Sequence, residues 1–369
     1  MASNVLYELI QIALGNRNQL SRIPTAKEWH AIYDEAMRQA VAGVAFVGIE
    51  KLPKEQMPPE MLLFQWIGTA EQIKQQNKHV DEQTAKIWRK LKEDGLDAAI
   101  LKGQGIAELY ENVNTNINPN PNLNLGEYRQ SGDIDIWVKG GYDKVCDYVQ
   151  RTRPTDDLAY HRFHYDYFDD TEVELHHRPT LMRNLLDDRK LARWYNSFGA
   201  DSFEYLEDKG FAVPPVEFNR IFILTHIYRH FLFEGIGLRQ VIDYYFVLKA
   251  NGGRDKEDIV KILKELRLLR FAEAVMWILH KQLGLEEQYL ICGMNEKEGR
   301  FVLSEIEQTG NFGHADSRFK KMSKVGRMTK HGIHLLLHYP SEVIWTPVWL
   351  MYHKAWKWNK KREIRKWKK

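Results

Sequence analysis

The sequence predicts an α+β fold, a small mixed β-sheet core flanked by N- and C-terminal helical regions. Three observations carry that reading. Ser131-Gly132-Asp133-Ile134-Asp135-Ile136-Trp137-Val138 alternates polar and apolar residues with the period of a strand. Residues 163–168 and 171–177, separated by Asp169-Asp170, have the composition and turn of a β-hairpin. On both sides of this region apolar residues recur at helical spacing instead.

Residues 1–92 form the N-terminal helical region. Val5, Leu6, Leu9, Ile10 and Ala13 trace one helix face, and Trp29, Ile32, Tyr33, Ala36 and Ala40 trace another, with Thr25 and Glu28 spaced as a capping box. Three prolines between Lys51 and Pro59 mark a linker. A long helix then runs to Glu93 and stops at Asp94-Gly95. His30 and His79 are read as solvated surface residues.

Residues 93–180 form the core. A strand over 98–101 leads into Lys102-Gly103-Gln104-Gly105, where glycines at a strand-to-helix junction allow a tight turn and present backbone N–H groups to a phosphate. Asparagines alternating with two prolines follow, so 112–130 is read as a mobile loop, either a lid or variable surface. Arg129 stands four residues before Asp133, within reach of a triphosphate or simply at the surface. Asp133 and Asp135 point the same way, their side chains leaving the backbone roughly 6 to 7 Å apart at about 3.3 Å per residue. Two such carboxylates repel each other, and one or two divalent cations are the usual relief. Lys139-Gly140-Gly141 turns the chain into a helix ending near Arg153, ahead of Pro154. On the second hairpin strand Glu172, Glu174 and His176 share a face. Glu172 reads as a solvated tip and Glu174 as the third metal ligand. His176 and His177 are expected to be a hydrogen-bonded pair supporting the site, because hard Mg²⁺ takes oxygen before imidazole.

The runs LKG-x-G-I-A-x-L-Y, R-x-S-G-D-I-D-I-W-V and V-E-L-H-H-R resemble the polymerase-β-type nucleotidyltransferase superfamily, most of all the poorly characterised nucleotidyltransferase family proteins of bacteria. The resemblance covers about residues 95–180, and 235–243 is similar to the family's helical region. It implies transfer of a nucleoside monophosphate from an NTP, with Mg²⁺ or Mn²⁺ held by the catalytic carboxylates Asp133, Asp135 and Glu174. It also implies a nucleotide-binding set of Lys102, Gly103, Gln104, Gly105, Arg129, Gly132 and Arg239. Glu174 would also accept a proton from the acceptor hydroxyl. Two other classes stay open: a nucleotide-sensing module without turnover, and an RNA-modifying transferase.

Residues 181–340 read as a helical domain. Pro214-Pro215 breaks the chain before a helix over 218–230, whose His226 and His230 lack the glutamate of an H-E-x-x-H zinc site. Arg239 and Asp243, at i and i+4, are expected to pair. Residues 255–310 add amphipathic scaffold helices. In 341–369 five tryptophans are interleaved with nine lysines and arginines. This basic C-terminal helix or tail suits an anionic membrane surface or RNA, or else packs its tryptophans on the domain.

Composition narrows the partners. A net charge of +3 over 369 residues gives no global field for nucleic acid. Asp and Glu outnumber Lys and Arg between Ser131 and Glu174, which favours a small hydroxyl-bearing molecule or a protein side chain as acceptor. Cys146 and Cys292 stand in unrelated contexts, so neither a disulfide framework nor a zinc site is expected. With no cleavable signal visible and the apolar run 41–49 too short to span a bilayer, the expected location is cytoplasmic.

Overall fold

A computed structural model describes residues 2–110, 124–311 and 332–367. The Asn-rich stretch 112–123 of the expected loop lies outside them.

The mixed sheet is present, with four strands in the order β1-β2-β4-β3: β1 (Ala98–Ile100), β2 (Ile134–Val138), β3 (Arg162–His164) and β4 (Val173–His176). β1 runs antiparallel to β2 and β3 antiparallel to β4, whereas β2 and β4 are parallel. The parallel pair requires a crossover, supplied by α6 (Gly141–Thr152) and β3. Its register sets Asp135 beside Glu174.

The alternation in β2 separates two environments. Ile134, Ile136 and Val138 enter a core beneath the sheet, built with α6 and with Val80, Ile87 and Leu91 of α4 (Glu60–Glu93). Asp135 and Trp137 face the other way. Trp137 stacks on Phe218 of α8 (Val216–Phe233) at a centroid distance of 5.0 Å, so α8 roofs the face that carries the carboxylates.

The N-terminal helices α1 (Ala2–Ala13), α2 (Ala26–Arg38) and α3 (Ala42–Glu50) take the expected faces, and Thr25 and Glu28 form the capping box. These helices bury side chains in one core with α8, α9 (Leu238–Asn251), α11 (Leu269–Leu283) and α12 (Glu296–Thr309), although some two hundred residues separate them in sequence. α4, about 51 Å long at 1.5 Å per residue, serves both cores: Leu62, Trp66 and Ala70 enter the helical one.

Two expectations change, and one of the readings of the C-terminal residues, tryptophans packed on the domain, is met. Residues 181–340 are not purely helical: a second hairpin, β5 (Glu204–Leu206) with β6 (Phe211–Val213), puts Phe211 and Val213 into the sheet core. Three-residue strands carry too little alternation to be seen in a sequence. Of the expected loop, Leu125–Tyr128 form a 3-10 turn, and the Glu127 and Arg129 carbonyls accept hydrogen bonds from Asn77 of α4 at 2.5 and 2.7 Å. The C-terminal residues form a helix, Pro340–Trp367, that lies back on the core: Trp356 packs edge-on to Tyr142 and Tyr160, and Ile364 is buried beneath the sheet.

Candidate active site

β2 and β4 deliver the acidic groups. Asp135 is fully buried, and its Oδ1 lies 2.8 Å from His176 Nε2, which also reaches Glu174 Oε2 at 3.2 Å. One ligand atom from each of Asp135, Glu174 and His176 lies within 4.8 Å of the others, a group that can hold a metal ion. Asp133, just before β2, is more exposed. It joins the group through Lys102, whose Nζ sits 2.8 Å from Asp135 Oδ2 and 3.5 Å from Asp133 Oδ2. Arg162 of β3 donates to Glu174 at 2.7 Å. Three carboxylates are thus balanced by Lys102, Arg162 and an imidazole.

The titration directions follow from that crowding. Burial favours the neutral acid at Asp135, yet the Lys102 ammonium and the His176 imidazole outweigh it and hold the carboxyl well below its usual range. Glu174 moves upward, because burial leads and Asp135 repels its charge. His176 moves upward despite burial, because both carboxylates accept from it. Lys102 is raised against its own burial by the surrounding acids.

The opposite wall is cationic. Arg239 of α9 donates to the Gln130 and Ser131 carbonyls at 2.7 and 3.3 Å, and its buried Nε has no hydrogen-bond partner. Burial and the neighbouring Arg129 pull its pKa down to about 10, so it stays charged at neutral pH. An unpaired guanidinium N–H at a pocket wall is a donor set suited to an anion.

The other expected residues divide. Gly103 has φ +62°, turns the chain away from the sheet after β1, and lines the pocket with Gly132. Gly105 does not: it packs under Ile100, whose carbonyl a Cβ would overlap, so this glycine permits close backbone approach. Gln104 is turned from the carboxylates and bonds Asp81 of α4. α5 (Gln104–Ala107) spans a single turn, too short for the expected helix-end phosphate cradle. Arg129 is buried with both donors on Asp243, at 2.7 and 2.8 Å, and Tyr110 donates to the same carboxylate at 2.7 Å. The expected Arg239–Asp243 pair is therefore replaced by Arg129–Asp243, a tertiary contact displacing a local one. His176 and His177 do not pair either, since neighbours in a strand point to opposite sides. His177 packs against Tyr142 and Phe163, and burial pushes its pKa down to about 3.

Sequence reasoning missed Arg162. The alternation Arg162-Phe163-His164 was the available signal, placing arginine on the face of Glu174. It also gave no role to His226, which lines the pocket from α8.

The pocket between these walls has about 20 Å³ of free volume, roughly one water. A second cavity of about 340 Å³, lined by α4 residues together with Gln104, Ala107 and Lys209, shares no lining residue with it. The second cavity is larger, but the first is lined by Asp133, Asp135, Lys102, His226 and Arg239, whose Nε is unpaired.

The sequence profile of a family described as Uncharacterised nucleotidyltransferase matches residues 25–284, more than half of the chain. The chain belongs to this family. No curated protein and no solved structure matches it. The matched span of this nucleotidyltransferase family member includes both strands that carry the acidic cluster, the Lys102–Gly103 turn and the α8–α9 roof.

Proposed function

We propose that the protein is a metal-dependent nucleotidyltransferase, moving a nucleoside monophosphate from an NTP to a hydroxyl group on a small molecule or a protein side chain. One observation carries the reading. The parallel register of β2 and β4 gathers Asp135 and Glu174 with Asp133 nearby, Lys102 in contact with both aspartates and Arg239 lining the same pocket.

The donor set fits Mg²⁺ or Mn²⁺: carboxylate oxygens suit both ions, and Asp135 Oδ2 is buried with no hydrogen-bond partner beyond its ion pair to Lys102. Asp133, Asp135 and Glu174 would hold the ion, with His176 orienting two of them. When bound, it neutralises phosphate charge and polarises the α-phosphoryl group.

The side chains account for the remaining tasks. Lys102 and Arg239 bind the phosphates, and a triphosphate enters the narrow pocket as Lys102 leaves the carboxylates for it. Arg129, with two donors on Asp243, lines the same pocket beside Arg239. The acceptor oxygen attacks the α-phosphorus and the bond to pyrophosphate breaks, while Glu174 takes the acceptor's proton. Positioning and charge compensation supply the rate.

The test incubates purified protein with each NTP labelled at the α-phosphate, Mg²⁺ or Mn²⁺, and fractionated cell extract. Label on a metabolite or protein fraction supports the reading, and label on RNA corrects the acceptor. Metal-dependent nucleotide binding with no label in any fraction would make the protein a nucleotide sensor.

A further inference from the structure

The C-terminal helix has two faces. One faces the core: Glu342, Trp349 and Ile364 are buried, and Trp356 packs on Tyr142 and Tyr160. Facing away are Ile344, Val348, Met351, Ala355 and Trp358, all exposed, with Ile344 at 63%, Met351 at 67% and Trp358 at 64%. At 100° per residue these five lie within about 40° of one line, a single apolar stripe some four turns long. Leu337 and Ile333, just ahead of the helix, are exposed as well. Nothing among the described residues covers the stripe.

Its surroundings say what would. Lys354 and Lys361 flank the stripe, and Arg362 ends it, its guanidinium 5.4 Å from the Trp358 ring. Residues 341–369 hold nine lysines and arginines against two glutamates, a net +7. With +3 for the whole chain, residues 1–340 carry −4. The segment that carries the exposed apolar stripe is therefore strongly basic, whereas the rest of the chain is net acidic. No helix among the described residues is long and apolar enough to cross a membrane, so the arrangement suits lying on a surface.

We propose that this stripe docks the protein on an anionic lipid bilayer, Ile344, Val348, Met351 and Trp358 entering the headgroup boundary while the flanking lysines and Arg362 meet lipid phosphates. RNA would use the cations but has no partner for a row of aliphatic side chains. A second copy of the chain would bury the aliphatic row but would bring two +7 segments together. The helix is fastened to the sheet's edge through Tyr160, two residues before β3, so the catalytic sheet is carried to the membrane with it.

The full-length protein is sedimented with vesicles of phosphatidylcholine alone, or with about one-third phosphatidylglycerol, at low and high salt. Binding is expected to the anionic vesicles alone and to weaken with salt. Met351→Glu combined with Trp358→Glu should weaken it at least about tenfold at unchanged circular dichroism, because both side chains are already exposed. Equal binding by wild type and variant, no vesicle binding, or equal binding to neutral vesicles would each overturn the proposal. So would tighter binding to an RNA oligonucleotide, or self-association that the variant abolishes without any vesicle binding.

Discussion

Lys102 places one ammonium 2.8 Å from Asp135 and 3.5 Å from Asp133, the position from which a cation would neutralise both. In the reaction proposed, it therefore competes with metal until an anion draws it away. Lys102→Met should tighten nucleotide-free Mn²⁺ binding about tenfold, well within the Coulomb energy of a unit charge at this distance. Electron paramagnetic resonance titration reads this directly, and unchanged or weaker binding would show that the ammonium does not compete. Asp133→Asn and Asp135→Asn preserve shape and remove charge, so each should cut nucleotidyl transfer on the order of a thousandfold while the fold survives. Asp243→Asn leaves the buried Arg129 without its counter-charge and should cost about 3 kcal/mol or more of stability by urea unfolding. Strand period alone aligns Asp133 with Asp135, so that pair was legible in sequence; Glu174 was legible only through the hairpin pattern and the family resemblance, because it meets Asp135 by the parallel pairing of β2 and β4. The partner of Asp243 was not, because an i, i+4 rule sees only its own helix, whereas Arg129 arrives from a segment 114 residues earlier.

At the scale of elements, the C-terminal helix is anchored by Glu342, whose carboxylate accepts from the backbone N–H groups of Arg183 and Asn184 at 2.7 and 3.1 Å. Burial outweighs these donors and raises its pKa from 4.5 to about 7. The folded state then prefers the protonated acid. Its contribution is complete below the unfolded value of 4.5 and is lost as pH rises through 7. From pH 5 to pH 8 the wild type should lose up to about 3 kcal/mol that Glu342→Gln does not lose, measured by urea unfolding of both proteins. A parallel decline in the two would remove Glu342 as the cause. The long helix α4 was readable to within a residue at its start, because Pro59 and Asp94-Gly95 punctuate it. The β5–β6 hairpin was invisible, because its strands are held by tertiary burial of Phe211 and Val213 and by little of their own pattern.

Across the whole molecule, α4 ties the helical core to the sheet core, and the N-terminal helices share their core with α8, α9 and α11. Trp66→Ala and Ile87→Ala, at opposite ends of α4, should therefore lower one common unfolding transition, each by about 2 to 5 kcal/mol. Two separated transitions by calorimetry would mean that the cores unfold independently. The α+β class followed from local periodicities. The shared core did not, since contacts between residues two hundred positions apart leave no local trace. This architecture clamps the carboxylate face of the sheet under α8, with Lys102 and Arg239 lining the same pocket, which is the basis of the transfer reaction proposed. The most direct measurement follows the two ends of the same nucleotide, with label at the α-phosphate or the γ-phosphate, in wild type and Asp135→Asn. The wild type should move the α label to acceptor and release the γ label as pyrophosphate, and Asp135→Asn should do neither. A γ label found on the acceptor, or α transfer undiminished in Asp135→Asn, would contradict nucleotidyl transfer at this site.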